Sequence, residues 1–273
     1  MDIAVVGSGF VGQATGRGFA RFGHNVHFYD LDKNKVEKLL EEGYSASFHK
    51  TNGITSHDII FICVPETCLE FDLWNKWYKA KVWVIRSTVP PGTTAKLHYH
   101  TNEHFMPWWL KNQANPDTSI CVCHNPEFLR QAFADYEFMN PDKIVIGECC
   151  KKSGDILEEL YKPFHIPIVR VDPTTSELIK LASNAYLSTQ ISFWNQIKLI
   201  ADKLGVNSHI IGKACSLDPR ISDYGASMHG SAFGGYCLPK DLAQLKTLAM
   251  QQGVTSLFLD AVKEINDWMK VKK

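Results

Sequence analysis

The chain reads as α/β, a doubly wound and mostly parallel sheet over residues 1–172 followed by an all-helical domain over residues 173–273. Three observations predict this. Apolar, β-rich runs alternate with helical stretches or loops through the first half, the pattern of a parallel sheet. The first run ends in a glycine turn that opens a helix, Gly7-Ser8-Gly9-Phe10-Val11-Gly12. After Pro173 the strand signals stop and amphipathic helical patterns take over.

The strand runs are residues 3–6, 25–29, 58–64, 82–86, 120–124, 143–147 and 166–171. A helix continues from the glycine turn to about Phe22. Thr174-Thr175-Ser176-Glu177 has capping-box spacing, so a long helix is expected from there to Leu204, where Gly205 stops it. Further helices are expected over 207–217, from near Pro239 to Gly253, and over 256–270, where Phe258, Val262, Ile265, Trp268 and Met269 recur at helical spacing. Residues 98–119, with Trp108 and Trp109, read as irregular.

Composition narrows the function classes. Lys+Arg and Asp+Glu balance at 29 each, so no global field draws nucleic acid or an anionic membrane, and an anionic ligand must be held by local donors. No apolar run reaches membrane-spanning length and no cleavable leader is apparent, so a cytoplasmic protein is expected. None of the 8 cysteines forms a Cys-x-x-Cys pair. Cys121/Cys123 and Cys149/Cys150 could in principle bind metal, but their alternation and adjacency at strand-like segments fit small buried hydrophobes better, with no zinc site and no disulfide framework. Cys237 differs, because its surroundings are polar and glycine-rich.

The glycine turn carries dinucleotide chemistry, the Rossmann arrangement. Gly7 permits the tight turn, Gly9 lets a pyrophosphate approach the backbone, and Gly12 allows close helix–strand packing, while the helix N-terminus offers amides to phosphate. Asp30 closes the second strand, where a carboxylate accepts from ribose hydroxyls and repels a 2′-phosphate, favouring NAD over NADP. Ser87-Thr88-Val89-Pro90-Pro91-Gly92-Thr93-Thr94 follows a strand, either as a ligand loop or as an ordinary Pro-Gly loop. Glu127 follows another, either facing a ligand or as a solvated acid. Lys180 and Asn184 share one helix face and could stabilise negative charge on a substrate oxygen, or lie on a solvated face. Cys237 precedes a helix start, where amides and the dipole favour thiolate, with Lys240 adding charge and Asp241 able to hold a water. The alternative is a structural cysteine beside a cap.

These segments, together with Pro-Asp-Lys-Ile-Val-Ile-Gly (141–147), Ile-Ser-Phe-Trp-Asn-Gln (191–196), Asp-Pro-Arg-Ile (218–221) and Phe-Gly-Gly-Tyr-Cys-Leu-Pro-Lys-Asp-Leu (233–242), resemble the UDP-glucose/GDP-mannose dehydrogenase family, in family order across nearly the whole chain. The resemblance implies oxidation of a nucleotide sugar, UDP-glucose above all, at C6 to the uronate, by two hydride transfers to NAD through a cysteine thioester. It makes Cys237 the nucleophile, gives Lys180 and Asn184 the oxyanion, lets Asp241 and Thr88 order the hydrolytic water, and makes Glu127 the base. It places Gly7, Gly9, Phe10, Val11, Gly12, Asp30, Lys35, Val64, Ser87 and Thr88 at the cofactor. At the substrate it places Phe128, Leu129, Arg130, Lys180, Asn184, Phe233, Gly234 and Gly235, with Arg220 reaching across a homodimer.

Departures from the family pattern are Val64-Pro65-Glu66-Thr67 for the usual Val-Pro-Thr-Pro, and Gln131-Ala132 where an acid and a glycine are common. The family's second, C-terminal nucleotide-binding domain is expected to be missing. Two other readings stay open: a single oxidation of the β-hydroxyacid dehydrogenase kind, and a non-catalytic binding subunit whose partner carries that domain. Apolar stripes on the 174–204 and 256–270 helices predict the dimer surface in the helical domain.

Overall fold

In the computed structural model, residues 1–48, 57–69, 80, 82–100 and 120–271 are described. The irregular stretch expected over 98–119 lies mostly outside them. The described chain divides into two compact units, Met1–Leu178 and Ile179–Lys273.

The first unit holds β1 (Asp2–Val6), α1 (Phe10–Arg21), β2 (Asn25–Asp30), α2 (Lys33–Glu41), β3 (Ser45–Phe48), β4 (Ile59–Ile62), β5 (Val82–Ile85), α3 (Thr93–His100), β6 (Cys121–His124), α4 (Ala134–Met139), β7 (Ile144–Gly147), α5 (Lys151–Tyr161) and β8 (Ile168–Val171). The sheet order is β3-β2-β1-β4-β5-β6-β7-β8. Every pairing is parallel except that of β6 with β7. The first six strands therefore run 3-2-1-4-5-6, and the order reverses between β1 and β4, where such sheets bind ligands beyond the strand carboxyl ends.

Alternation along the strands builds two cores, one on each face. Ile3, Val5, Ile59, Phe61, Val82 and Val84 pack with Phe19 of α1, Phe138 of α4 and Leu157 of α5. Ala4, Ile60, Ile62, Trp83 and Ile85 pack on the other face with Leu97 of α3. Both faces are buried, which is why the strands read as near-continuous apolar runs.

The helical part begins with α6 (Pro173–Leu204), which starts in the first unit and continues through the second, and adds α7 (Ser208–Cys215), α8 (Asp223–Met228), α9 (Cys237–Gln251) and α10 (Leu257–Val271). Ala185, Ile191, Phe233, Leu242 and Val262 form the core of the second unit. Among the described residues, no helix is long and apolar enough to cross a membrane.

Several local expectations are corrected. The edge strand β3 was not foreseen, because Ser-Ala-Ser-Phe is short and carries little apolar signal. The start of α6 is capped by Asp172, whose carboxylate accepts from Thr175 N (3.0 Å) and Thr175 Oγ1 (2.5 Å), not by a Thr174–Glu177 box. Glu177 turns elsewhere. Its carboxylate accepts from Gly92 N (2.5 Å), Thr94 N (2.7 Å) and Thr94 Oγ1 (2.6 Å), capping α3 from a distance. The α9 helix begins at Cys237 rather than near Pro239, because any first-turn position tolerates a missing N–H.

Candidate functional site

The first unit gathers the predicted cofactor residues at the carboxyl ends of its parallel strands. Gly7 turns at φ +92°, and a Cβ there would lie 2.8 Å from the Cys63 carbonyl oxygen. A Cβ on Gly12 would lie 1.9 Å from the Gly7 carbonyl oxygen, so only glycine closes the turn. Gly9 is the N-cap of α1 and supplies no side-chain acceptor, leaving the first-turn amides without a side-chain cap. Among the described residues nothing lies within 4 Å of where its Cβ would stand. Phe10 and Val11 begin the helix. That is the cradle a pyrophosphate needs: bare amides, open space and the positive end of a dipole.

Asp30 ends β2 beside this turn. Its Oδ2 accepts from Ser8 N (2.5 Å) and its Oδ1 from Asp32 N (2.9 Å), which fixes the carboxylate and leaves lone pairs for hydroxyl donors. The Lys35 ammonium lies 3.8 Å from Asp30 Oδ2. Val64 follows β4, and its carbonyl accepts from Ser87 Oγ (2.5 Å) after β5, with Thr88 next in line. Burial pushes the Cys63 thiol up to about 12, so this cysteine under the glycine turn is neutral packing.

After β6 the chain enters Asn125-Pro126-Glu127-Phe128-Leu129-Arg130. Two residues that the sequence did not single out hold this loop. Buried Arg86 donates to both Asn125 Oδ1 and the Asn125 carbonyl, and Tyr161 donates its hydroxyl to Asn125 Oδ1 (2.5 Å). Burial raises the Tyr161 hydroxyl to about 12, so it stays a donor. Glu127 is buried rather than solvated, and its Oε2 accepts from Leu129 N (2.6 Å). It lines a cavity of about 330 Å³ with Arg86, Asn125, Phe128 and Arg130. The Lys143 ammonium stands 4.4 Å from the Phe128 ring centre. Arg130 is exposed and pairs with Glu137 at 2.5 Å.

The second unit brings together the other predicted residues. Lys180 and Asn184 are one turn apart on α6 and both buried, Lys180 at 3% exposure and Asn184 at 7%. Neither lies on a solvated face. Asn184 Nδ2 donates to Asp241 Oδ2 at 2.5 Å, and Asp241 has no solvent exposure. The Lys240 ammonium stands 2.6 Å from Asp241 Oδ1, an ion contact outside hydrogen-bond alignment. Cys237 is the first residue of α9, one turn before Asp241 and on the same face. It is half-buried, and the N-cap Tyr236 offers no side-chain acceptor to the helix amides.

The loop that delivers Cys237 is braced by two asparagines that the residue chemistry alone did not single out. Asn195 accepts from Gly230 N (2.8 Å) and donates to the Ser231 carbonyl (2.9 Å). Asn266 accepts from Phe233 N (2.7 Å) and donates to its carbonyl (3.2 Å). Phe233 is thereby buried, while Gly234 and Gly235 are exposed, Gly235 at φ +72°. Arg220 stands apart, exposed and paired with Asp218 at 2.6 Å. A buried asparagine without regular polar neighbours was the one available signal for the braces, and it is weak in a single sequence.

Comparison with known proteins fits these two units. The NAD binding domain of the UDP-glucose/GDP-mannose dehydrogenase family matches residues 1–45 and 40–165, and the central domain of that family matches residues 174–268. The chain is 34% identical over 284 residues to UDP-glucose 6-dehydrogenase YwqF of Bacillus subtilis, covering 91% of this chain and 62% of that protein. It is 33% identical over 300 residues to UDP-glucose 6-dehydrogenase of Rickettsia conorii, covering 97% and 66%. It thus spans less than two thirds of the length of these relatives. A UDP-glucose dehydrogenase structure from Pyrobaculum islandicum superposes with a TM-score of 0.86 at 29% identity, over 98% of this chain and 68% of that one. The fold also matches 3-hydroxyisobutyrate dehydrogenase of Mycobacterium tuberculosis, with a TM-score of 0.77 at 12% identity, over 98% of this chain and 93% of that one. A dinucleotide edge on one unit and a cysteine-bearing helix start on the other are here matched, each in its place, by one family's two domain models: the chain belongs to the UDP-glucose/GDP-mannose dehydrogenase family.

Proposed function

We propose that the protein is an NAD-dependent nucleotide-sugar 6-dehydrogenase, with UDP-glucose as substrate, that carries an alcohol to a carboxylate through a thioester on Cys237. The observation that carries this reading is the buried Asn184–Asp241 pair, with Lys180 one turn along one helix and Cys237 one turn along the other. NAD, when bound, would supply hydride acceptance; the remaining work falls to side chains of the chain itself. Lys180 and Asn184 donate to the substrate oxygen as it gains negative charge. The amides at the start of α9 favour the Cys237 thiolate, which adds to the aldehyde carbon. Loss of the second hydride leaves a thioester. Water adds to its carbonyl carbon, the C–S bond breaks, and the thiolate returns.

In the balance two NAD are reduced, one water is consumed and three protons leave. Asp241 and Thr88 are assigned to ordering that water, and Glu127 to taking its proton. Asp30 and Lys35 are assigned to the adenosine ribose, Phe128, Leu129, Arg130, Phe233, Gly234 and Gly235 to the sugar nucleotide, and Arg220 to the substrate of a second subunit. The domain boundary is placed at Asp172-Pro173. A homodimer is supported by Tyr186, Phe193 and Ile200, exposed at seven-residue spacing on α6.

NADH release by the full chain with NAD and UDP-glucose tests the reading. Two NADH per sugar are expected, and Cys237→Ser should lose the second oxidation. One NADH with a stable aldehyde or ketone product in the wild type would refute it. The likeness to 3-hydroxyisobutyrate dehydrogenase over 93% of its length supports a second reading, a single oxidation in which Cys237 is dispensable. In that case small hydroxyacids outcompete UDP-glucose and Cys237→Ser keeps full turnover.

A further inference from the structure

The thiols read from sequence as packing hydrophobes converge at the opposite edge of the sheet from the glycine turn. Strand β7 runs antiparallel to β6 with His124 opposite Gly147. Extending that register by three residues in each direction sets Cys150 opposite Cys121. Their sulfurs lie 3.4 Å apart, and the sulfurs of Cys121, Cys149 and Cys150 all fall within 4.8 Å of one another. Cys123 lies two residues along the same face of β6, and Cys149 Sγ lies 3.4 Å from Ser153 Oγ. Cys150 is the N-cap of α5, where its sulfur accepts from the Ser153 amide. Cys150 is exposed and Cys149 half-buried, so the cluster opens to solvent on one side.

We propose that Cys121, Cys149 and Cys150, with Cys123 as fourth donor, form a binding site for a soft d10 cation, zinc in the first instance. Sulfurs around a tetrahedral zinc stand about 3.8 Å apart, given a zinc–sulfur distance of about 2.3 Å, and those of Cys121, Cys149 and Cys150, all within 4.8 Å with one pair at 3.4 Å, are near that spacing. Three converging thiols, with a fourth two residues along β6, exceed what a disulfide uses. The start of α5 supplies backbone donors and the positive end of a helix dipole to thiolates, as a site of net negative charge requires. Bound there, the cation staples β6 to the β7–α5 junction. The site lies within the first unit and takes no part in the proposed oxidation.

The test uses the full chain, reduced, stripped with a chelator and titrated with Zn²⁺ against a chromophoric competitor, then with Co²⁺. One equivalent per chain and a thiolate-to-cobalt charge-transfer band are expected. Cys150→Ser should weaken binding on the order of 100-fold or more, beyond the loss usual for an outer-shell contact. Because Cys150 is exposed and serine is a favoured N-cap, that variant keeps its fold. Cys121→Ser combined with Cys150→Ser should abolish the cobalt band, while Cys215→Ser leaves it unchanged. Zinc bound equally by wild type and the double variant would overturn the proposal. So would a Cys121–Cys150 disulfide formed on mild oxidation in a protein that takes up no zinc when reduced.

Discussion

Glu177 and Asp241 are both carboxylates with no solvent exposure, and they do different work. Glu177 takes two backbone amides and a threonine hydroxyl, all from the segment that opens α3. These donors are fixed by the fold, and the carboxylate serves as a remote helix cap. Asp241 instead meets a carboxamide and an ammonium, both on side chains that can reorient. A buried acid held by backbone is an anchor. On the proposed reading, one held by adjustable side chains beside a helix-start cysteine exchanges partners with a substrate or a water. Burial alone does not distinguish the two; the kind of donor does.

The largest separation should appear in turnover. Asp241→Asn keeps the shape but removes the charge that orders Lys240 and Asn184, and kcat for NADH formation should fall about 10²–10⁴-fold. An unchanged kcat would place Asp241 with Glu177 among the anchors. Glu177→Gln should act on stability instead. Glutamine offers one acceptor oxygen to three donors, two of them buried, so unfolding in urea should show a loss of about 1–3 kcal/mol, with kcat retained below the transition. A kcat loss without destabilisation would erase the distinction.

The smallest effect is a pH slope. Burial, opposed by the bonds to Thr94 and Gly92, holds Glu177 above its ordinary value of 4.5. Between the unfolded and folded values the native state holds the extra proton, so this group's contribution to stability falls as pH rises through a window opening at 4.5. Melting temperatures of wild type and Glu177→Gln, measured across that window, should differ in slope, with the variant lacking this component. Parallel curves would mean that Glu177 titrates as it does in the unfolded chain.

Much of the glycine turn's geometry was legible beforehand, because its causes are local. Gly7, Gly9 and Gly12 sit in one turn, and Asp30 ends the next strand. The sterics that exclude a Cβ at Gly12 involve an atom five residues away. The helical face of Lys180 and Asn184 was also legible, since the i, i+4 relation needs only the helix. Less visible were contacts between distant segments. Arg86 meets Asn125 across 39 residues, and Asn266 braces Phe233 across 33. No periodicity reports such partners, and β3 escaped because a four-residue polar edge has almost no pattern to read.

From sequence alone came the alternating sheet, the glycine turn, the acid that follows it and a cysteine near a helix start, because backbone sterics, helical spacing and capping act within a few residues. Tertiary structure decided what the polar side chains do. It sent Glu177 to α3 across 83 and 85 residues, joined Asn184 to Asp241 across 57, and set Cys121 against Cys150 across 29. The physical reason is the same in each case. A buried charge or thiol must find donors, and which donors stand within reach depends on strand register and helix packing rather than on neighbours in the chain.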